Sequence, residues 1–257
     1  GSDSDLVNIA ASNVVPVLNS LAGRAWGDEI ALESGTGDVS DPIVKVSSDG
    51  VAYISWVQFS GTFYDFHVSK VDLSTEQVTS FGVVSSGSDS IQDSTWNFKY
   101  ATFPESDMTI LDNGDVFISY IDGADSDVNT VYYDVSQNLW SAPSVVDSDS
   151  TEARLPRLIS NGSDIVVAWF QEDSTSGTNL RVSKYNSSNE TWDIAQNLDN
   201  ASGVDDGWGD TQGQLQGAMN QAGDVTIVWS GDIGEGEENI LSTRYLVSSG
   251  WQNTQTI

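Results

Sequence analysis

The sequence predicts an all-β fold built from repeated four-stranded antiparallel sheets, and three observations predict it. One strand–turn–strand pattern occurs four times, as SSDGVAYISWVQ, LDNGDVFISYID, ISNGSDIVVAWFQ and QAGDVTIVWSGD. An aromatic residue closes each copy, at intervals of 64, 49 and 60 residues: Trp56, Tyr120, Trp169 and Trp229. No segment with the period of a helix competes with these strands. Repeats of roughly 40–60 residues are typical of propellers and arrays, so a β-propeller is the expected architecture.

Four strands make up each repeat. The opening hairpin turns at one of four dipeptides: Asp49-Gly50, Asn113-Gly114, Asn161-Gly162 and Ala222-Gly223. Such pairs tolerate the positive φ that tight hairpins require, so each joins two short antiparallel strands. A third strand follows, as in TVYYDVS (130–136) and LRVSKYN (180–186). The fourth strand begins near a Trp in three repeats and near a Val in the first: Trp140, Trp192, Trp251 and Val78.

The repeats organise residues 1–257 into one expected domain. The repeat blades are four: 41–84, 103–146, 155–198 and 213–257. An insertion occupies 85–102, and 1–40 is expected to form a partial first blade, because LNSLAGRAWGDEIAL resembles YNSSNETWDIAQNL. Five blades with the first incomplete is the favoured count, and six or seven with missing parts is the alternative. The leading Gly1-Ser2 indicates an excised domain, which we expect to be monomeric.

The charge balance limits the classes of partner. There are 38 acidic residues against 9 basic ones, a formal net charge of −29, and no cysteine. Phosphate binding requires a basic face, so nucleic acid and anionic membrane surfaces are not expected partners. No apolar run approaches the roughly 18 residues of a membrane span, so direct membrane insertion is not expected either. A strongly negative surface is typical of a marine or salt-loving source, where salt screens self-repulsion.

One face of the predicted propeller carries the long connections. Within blades these are expected at 57–65, 121–129, 170–179 and 230–239, and between blades at 33–41, 85–107, 147–155 and 199–214. The turns on the opposite face are short and regular. Long loops on a rigid scaffold are where binding usually occurs, so we expect the ligand site on this loop-rich face.

Aromatic residues outside the repeat pattern are the candidate ligand contacts. Trp96, Phe98 and Tyr100 alternate, so their side chains share one face if that segment is extended. Sugar rings stack on exposed aromatic rings, which also anchor protein interfaces. Tyr64 and Trp208 are further candidates. The alternative is that the aromatic residues of the insertion pack on their own blade.

Arg154 is the candidate contact for an anionic sugar, because a guanidinium group suits a carboxylate. It belongs to a group of basic residues in one blade, together with Arg157 and Arg181. The alternative role for these arginines is salt links to the surplus acidic residues.

The stretch DGADSDVN is a candidate calcium site. It offers closely spaced oxygen ligands, which Ca²⁺ prefers: Asp122, Asp125, Asp127 and Asn129. The spacing does not follow the EF-hand pattern, and solvated acidic turns are the alternative.

Three carboxylates near the start of the innermost strands are candidate catalytic groups: Asp41, Asp107 and Glu152. Inner strands surround the central axis of a propeller, so these side chains could converge at its mouth. Glycoside cleavage requires a pair of carboxylates, about 5 Å apart for retention and ~6.5–9.5 Å for inversion. The alternative is that they cap turns and face water.

The pattern AMNQAGDVTIVW…ILSTRYLVSSGW is similar to repeats of bacterial and archaeal cell-surface proteins. It also resembles, distantly, sialidase-type propellers with Asp-box hairpins. The corresponding turns here, such as YNSSNETW and YDVSQNLW, keep the Trp without the Asp and Gly pattern of an Asp box. The resemblance covers roughly 41–257 and implies a secreted or surface-anchored propeller. It implies no catalytic residue.

The expected function is that of an extracellular, non-enzymatic binding module of an adhesin-like surface protein, with a carbohydrate or protein ligand. One alternative is a glycoside-acting hydrolase that uses the carboxylates at the propeller axis. A second alternative is a structural spacer domain that binds no ligand beyond cations.

Overall fold

The computed structural model describes residues 30–32, 37–60, 64–85, 106–122, 126–147, 151–173, 177–198, 215–232 and 238–257. The chain divides into two compact units, Gly1–Ser34 and Gly35–Ile257. Nineteen strands in four sheets are described, all of them in the second unit. In this described part of the chain, no helix has the length and apolar character to span a membrane. Most of the predicted partial first blade and all of the 85–102 insertion except Ser85 lie outside the described residues.

The first two sheets follow the predicted strand order. The strands of the first are β1 (Val39–Val46), β2 (Val51–Phe59), β3 (Tyr64–Asp72) and β4 (Gln77–Val83). Those of the second are β5 (Ser106–Ile110), β6 (Val116–Ile121), β7 (Val128–Asp134), β8 (Leu139–Trp140) and β9 (Ser144–Val145). Each strand pairs antiparallel with the next, and β8 and β9 both pair with β7. The outermost strand of the second sheet is therefore interrupted.

The other two sheets repeat this interrupted arrangement. The strands of the third are β10 (Ala153–Ser160), β11 (Ile165–Asp173), β12 (Gly177–Asn186), β13 (Thr191–Trp192) and β14 (Gln196–Asn197). Those of the fourth are β15 (Leu215–Met219), β16 (Val225–Asp232), β17 (Glu238–Leu246), β18 (Gly250–Trp251) and β19 (Gln255–Thr256). The short strand pairs β13 with β14 and β18 with β19 again share one partner.

The predicted hairpins are confirmed residue by residue. The turn glycines all have positive φ, from 84° to 97°: Gly50, Gly114, Gly162 and Gly223. The aromatic pairs between third and fourth strands lie directly opposite one another: Tyr133 with Trp140, Tyr185 with Trp192, and Tyr245 with Trp251. In the first sheet, Val71 lies opposite Val78. Local sequence therefore sets both ends of each blade.

The apolar core lies between neighbouring sheets. One buried cluster joins the first and second sheets, with Phe66 and Tyr120 at its centre. A second cluster joins the second and third sheets around Trp169, and a third joins the third and fourth around Trp229. The inner strands contact each other in the order β1, β5, β10, β15. Sheets that pack face to face around their inner strands confirm the predicted all-β propeller.

The connections between second and third strands are shorter than expected. Tyr64 was expected in a loop over 57–65, but β2 runs to Phe59 and β3 begins at Tyr64 itself. Phe59 and Tyr64 are cross-strand partners, so pairing continues past the repeated pattern. The corresponding expectations for 121–129, 170–179 and 230–239 are wrong for the same reason. Two expected connections between blades, 33–41 and 147–155, are also shorter, since β1 begins at Val39 and β10 at Ala153. Most of 85–107 and all of 199–214 lie outside the described residues.

Candidate functional site at the propeller axis

Asp107, the second residue of β5, is a partly buried carboxylate on an inner strand. Its Oδ2 accepts a hydrogen bond of 2.9 Å from the backbone N–H of Leu158 on β10. Its Oδ1 accepts one of 2.8 Å from the N–H of Met108. Burial raises the pKa of Asp107 above its ordinary value, although these bonds and the charges of Arg157 and Lys45 act in the opposite direction. The carboxyl group is thus biased toward its protonated form.

The strand register places Asp107 in a defined layer of the inner strands. It lies opposite Ser119, the residue immediately before the repeated aromatic Tyr120. The residues in the same register on the neighbouring strands are Ile43 on β1, opposite Ser55, and Arg157 on β10, opposite Ala168. Asp107 is therefore the acidic member of a layer in which Arg157 supplies the positive charge.

Asp41 lies at an irregularity that β1 shares with β10. The register of β1 shifts between Ser40 and Ile43, and that of β10 shifts between Arg154 and Arg157. Asp41 and Leu155 both have positive φ, 51° and 52°, and each precedes a proline. A non-glycine residue in this region is strained, and β-bulges often redirect side chains beside active sites. The Ser40 hydroxyl donates to Asp41 Oδ2 at 3.2 Å.

Glu152 and Arg154, which were predicted for separate roles, form an ion pair with each other. Arg154 Nη2 donates to Glu152 Oε2 at 2.7 Å, with the two side chains 15% and 43% exposed. A second arginine of this blade, Arg181, pairs with Asp147 at 2.7 Å. These are the salt links that the sequence offered as the alternative role for the arginines. Glu152 is therefore a weaker catalytic candidate than Asp107, because its carboxylate is exposed and held by a cation.

The structure describes three of the four predicted calcium ligands. The Asn129 side-chain amide donates to Asp122 Oδ2 at 3.2 Å, and the Asp127 carbonyl accepts from the N–H of Asp122 at 2.9 Å. Asp125 lies outside the described residues. Among the described residues, no three His, Cys, Asp or Glu side chains form a group suited to a metal ion. A calcium ion at this hairpin stays a prediction.

Most of the predicted aromatic contacts also lie outside the described residues: Trp96, Phe98, Tyr100 and Trp208. Tyr64 is described, and its ring lies 5.0 Å from that of Phe59. Tyr64 was expected to contact a ligand, but as the first residue of β3 it packs against its cross-strand partner Phe59.

Sequence reasoning did not identify Lys45 and Arg157 as neighbours of Asp107. The signal that could have found Arg157 is its spacing from Trp169, which matches that of Asp107 from Tyr120 to within one residue. Lys45 carries no such signal, because its effect on Asp107 arises only when β1 packs beside β5.

No protein family matches the chain, and no curated protein matches it. Among solved structures it is similar to the polysaccharide lyase Uly1, with 12% identity, a TM-score of 0.52, and coverage of 89% of this chain and 56% of that one. It is also similar to a glycosyl hydrolase from Bacteroides ovatus, with 11% identity, a TM-score of 0.42, and coverage of 85% and 67%. An α-L-arabinofuranosidase from Clostridium thermocellum matches with 13% identity, a TM-score of 0.45, and coverage of 85% and 72%. At these identities the likeness shows the fold.

The comparisons correct the functional expectation. Similar structures also include an endo-arabinase, with a TM-score of 0.41, and a sialidase, with a TM-score of 0.44. The expectation of a non-enzymatic binding module is wrong against the comparison with the polysaccharide lyase, and the glycoside-acting alternative is the better supported one. The chain spans between 56% and 75% of the length of these structures.

Proposed function

We propose that this chain is the propeller of an enzyme that cleaves glycosidic bonds, with Asp107 as the acid at its axis. The observation that carries the proposal is the environment of Asp107. Burial raises its pKa, and two cationic side chains from neighbouring inner strands, Lys45 and Arg157, act on its charge. Carboxylates whose pKa is shifted by burial and by specific charged neighbours mark functional sites more often than ordinary surface positions.

The chemistry of glycoside hydrolysis assigns different roles to two carboxyl groups. One must hold a proton and deliver it to the leaving glycosidic oxygen, which requires a raised pKa. Asp107 meets this requirement through burial. The other must be ionised, either to attack the anomeric carbon or to take a proton from the attacking water. Asp41 is the candidate for this second role, because it is on the adjacent inner strand and its carboxylate accepts a hydrogen bond from Ser40.

Cell-surface or extracellular location accompanies this proposal, since polymeric carbohydrate substrates lie outside the cell. The resemblance to surface-protein repeats and the net charge of −29 support it. The name of the structure with the TM-score of 0.52, a polysaccharide lyase, supports a carbohydrate polymer as the substrate class.

The decisive experiment assays the protein and its Asp107→Asn variant on arabinan, xylan, galactan, mannan and a uronate-containing polysaccharide. New reducing ends measure hydrolysis, and ultraviolet absorbance of unsaturated uronate measures lyase chemistry. We expect hydrolysis by the wild type and a loss of about 10²–10⁴-fold in the variant, the usual contribution of a general acid. Product stereochemistry then distinguishes retention from inversion.

Asp49→Asn is the matched control. Asp49 occupies the first-hairpin turn, where the second and third repeats carry Asn113 and Asn161. This variant should keep full activity. Hydrolysis that survives unchanged in Asp107→Asn would end the catalytic assignment, and the absence of cleavage of every polymer by the wild type would end the proposed function.

The pH profile supplies an independent test. A general acid is active only while protonated, so activity should fall as the pH rises through the raised pKa of Asp107. In Asp107→Asn this alkaline limb should disappear from the residual activity. A limb that persists in the variant would assign the titration to another group.

A further inference from the structure

A cleft lies between the third and fourth sheets, and no described residue of the second sheet, which carries Asp107, lines it. Its volume is about 400 Å³, within the range of small-molecule sites. Val166 and Lys184 line it from the third sheet, and Tyr245 and Trp251 from the fourth. The rings of Tyr245 and Trp251 lie 5.3 Å apart with their planes tilted by 58°.

We call the contact between two neighbouring sheets a junction. At the other two described junctions, between the first and second sheets and between the second and third, aromatic rings fill the corresponding space. Tyr53 of the first sheet lies 6.1 Å from Tyr133 of the second, where Phe81 adds a ring 4.9 Å from Tyr133. Phe117 of the second sheet lies 4.9 Å from Tyr185 of the third, edge to face. Each Tyr of the later sheet thus packs against an aromatic residue of the earlier one.

Val166 is the residue in the same register at the third junction. Tyr53, Phe117 and Val166 each precede the repeated aromatic residue by three positions. Their cross-strand partners are also equivalent: Lys70, Tyr132 and Lys184. A valine in place of a ring leaves Tyr245 and Trp251 facing open space, which accounts for the cleft.

Polar groups surround the aromatic pair. Ser183, Asp193 and Gln196 also line the cleft, and the Ser183 hydroxyl donates to the Asp193 carbonyl at 2.7 Å. Lys184 Nζ lies 3.0 Å from Asp164 Oδ1, so its charge is already paired. Aromatic faces beside hydrogen-bonding groups suit a sugar ring, which has apolar C–H surfaces and peripheral hydroxyls.

We propose that this cleft binds a neutral sugar residue of a glycan. Neutrality follows from charge: Lys184 is paired, and a net charge of −29 repels anionic sugars. The proposal does not depend on catalysis by Asp107.

The test replaces Val166 with Phe, the residue of the second junction. Isothermal titration uses neutral oligosaccharides of arabinose, xylose, galactose, mannose and glucose, measured on the Asp107→Asn background so that no substrate is consumed. We expect Val166→Phe to weaken the binding by roughly tenfold or more, because the new ring occupies the sugar's space. The same change should raise the melting temperature by roughly 2–4 °C, as cavity-filling substitutions do.

Trp251→Val is the second variant, since the first sheet carries Val78 at the equivalent position. It should also weaken the binding roughly tenfold by removing the stacking surface. Leu139→Ala, at a strongly exposed position of the second sheet, is the control and should leave the sugar affinity unchanged. Equal affinity in Val166→Phe and the parent protein would overturn the proposal, and so would the absence of binding for all five sugars.

Discussion

The second and third sheets contact each other in two ways. Their inner strands, β5 and β10, which we call the inner half, meet through polar groups, whereas the strands farther from the axis, the outer half, meet through aromatic rings. Near the axis, Asp107 accepts from Leu158 across the junction, and the hydroxyls of Thr109 and Ser160 lie 2.7 Å apart. Farther out, Phe117 packs edge to face on Tyr185. A polar contact formed on folding replaces hydrogen bonds to water, so its net contribution to stability is small. Burial of an aromatic side chain, by contrast, contributes several kcal/mol. The aromatic contacts of the outer half therefore supply most of the stability between the two sheets. The inner half contributes less to stability, so its polar side chains can serve a catalytic role.

The largest expected stability effect comes from breaking the outer half of this junction. Phe117 is buried, with Tyr132 at 5.3 Å and Tyr185 at 4.9 Å between ring centres. Phe117→Ala should lower the free energy of unfolding by about 3–5 kcal/mol, measured by urea denaturation.

Leu139→Ala is its control, because Leu139 is 66% exposed and should change stability by no more than about 0.5 kcal/mol. Thr109→Val at the inner half should cost less than Phe117→Ala. The comparison between the two halves is wrong if Thr109→Val is the more damaging change.

Alkaline pH should weaken the outer halves selectively. Burial raises the pKa of Tyr53 and of Tyr185 from 10.0 to about 12. The unfolded chain then loses these protons before the folded one, so their contribution is complete below pH 10 and is lost as the pH rises toward 12. The melting temperature should fall over this interval. In Tyr53→Phe combined with Tyr185→Phe the decline should be shallower, and an identical decline would assign it to other tyrosines.

The repeated aromatic residues allow a smaller and sharper comparison. Trp169 Nε1 donates to Gln171 at 2.8 Å, and Trp56 Nε1 donates to Gln58 at 3.2 Å. Trp229 is followed by Gly231 at the equivalent position, and among the described residues its Nε1 has no acceptor.

Trp169→Phe should therefore cost about 1 kcal/mol more than Trp229→Phe, since only the former loses a hydrogen bond. Thermal unfolding of the two variants under one condition measures the difference. Equal losses would show that the Gln171 contact adds nothing to packing.

The smallest expected effect on stability concerns the predicted calcium site in the hairpin that joins β6 and β7. A specific ion bound to the folded state must raise the melting temperature. Because Asp122 already accepts from Asn129, we expect the shift between chelator and millimolar Ca²⁺ to be only a few degrees. Asp127→Asn should abolish the shift, and an unaltered shift in that variant would place the ion elsewhere.

Much of the fold could be predicted from the sequence because its signals are local. An Asx-Gly turn, a Val- and Ile-rich strand and a Tyr seven residues before a Trp each act within one hairpin. The structure confirms these features at Gly114, Tyr133 and Trp140. The loop over 57–65 could not be predicted in the same way, because β2 and β3 continue to pair through Phe59 and Tyr64 after the repeated pattern ends.

The candidate site was predicted only in part. Sequence placed Asp41, Asp107 and Glu152 near the starts of inner strands, but it could not rank them. Tertiary packing ranks them, since β10 and β1 bury Asp107 beside charges that are distant in sequence, whereas Glu152 pairs with its near neighbour Arg154.

The sequence by itself determined the repeat, the turns and the blade edges of this protein, because hydrogen bonding between adjacent strands depends on residues close in the chain. Only the tertiary structure decided which acid has a raised pKa and which junction is open. Burial and pKa depend on side chains from different blades, and Val166 leaves a cleft only because Tyr245 and Trp251 face it from the next sheet.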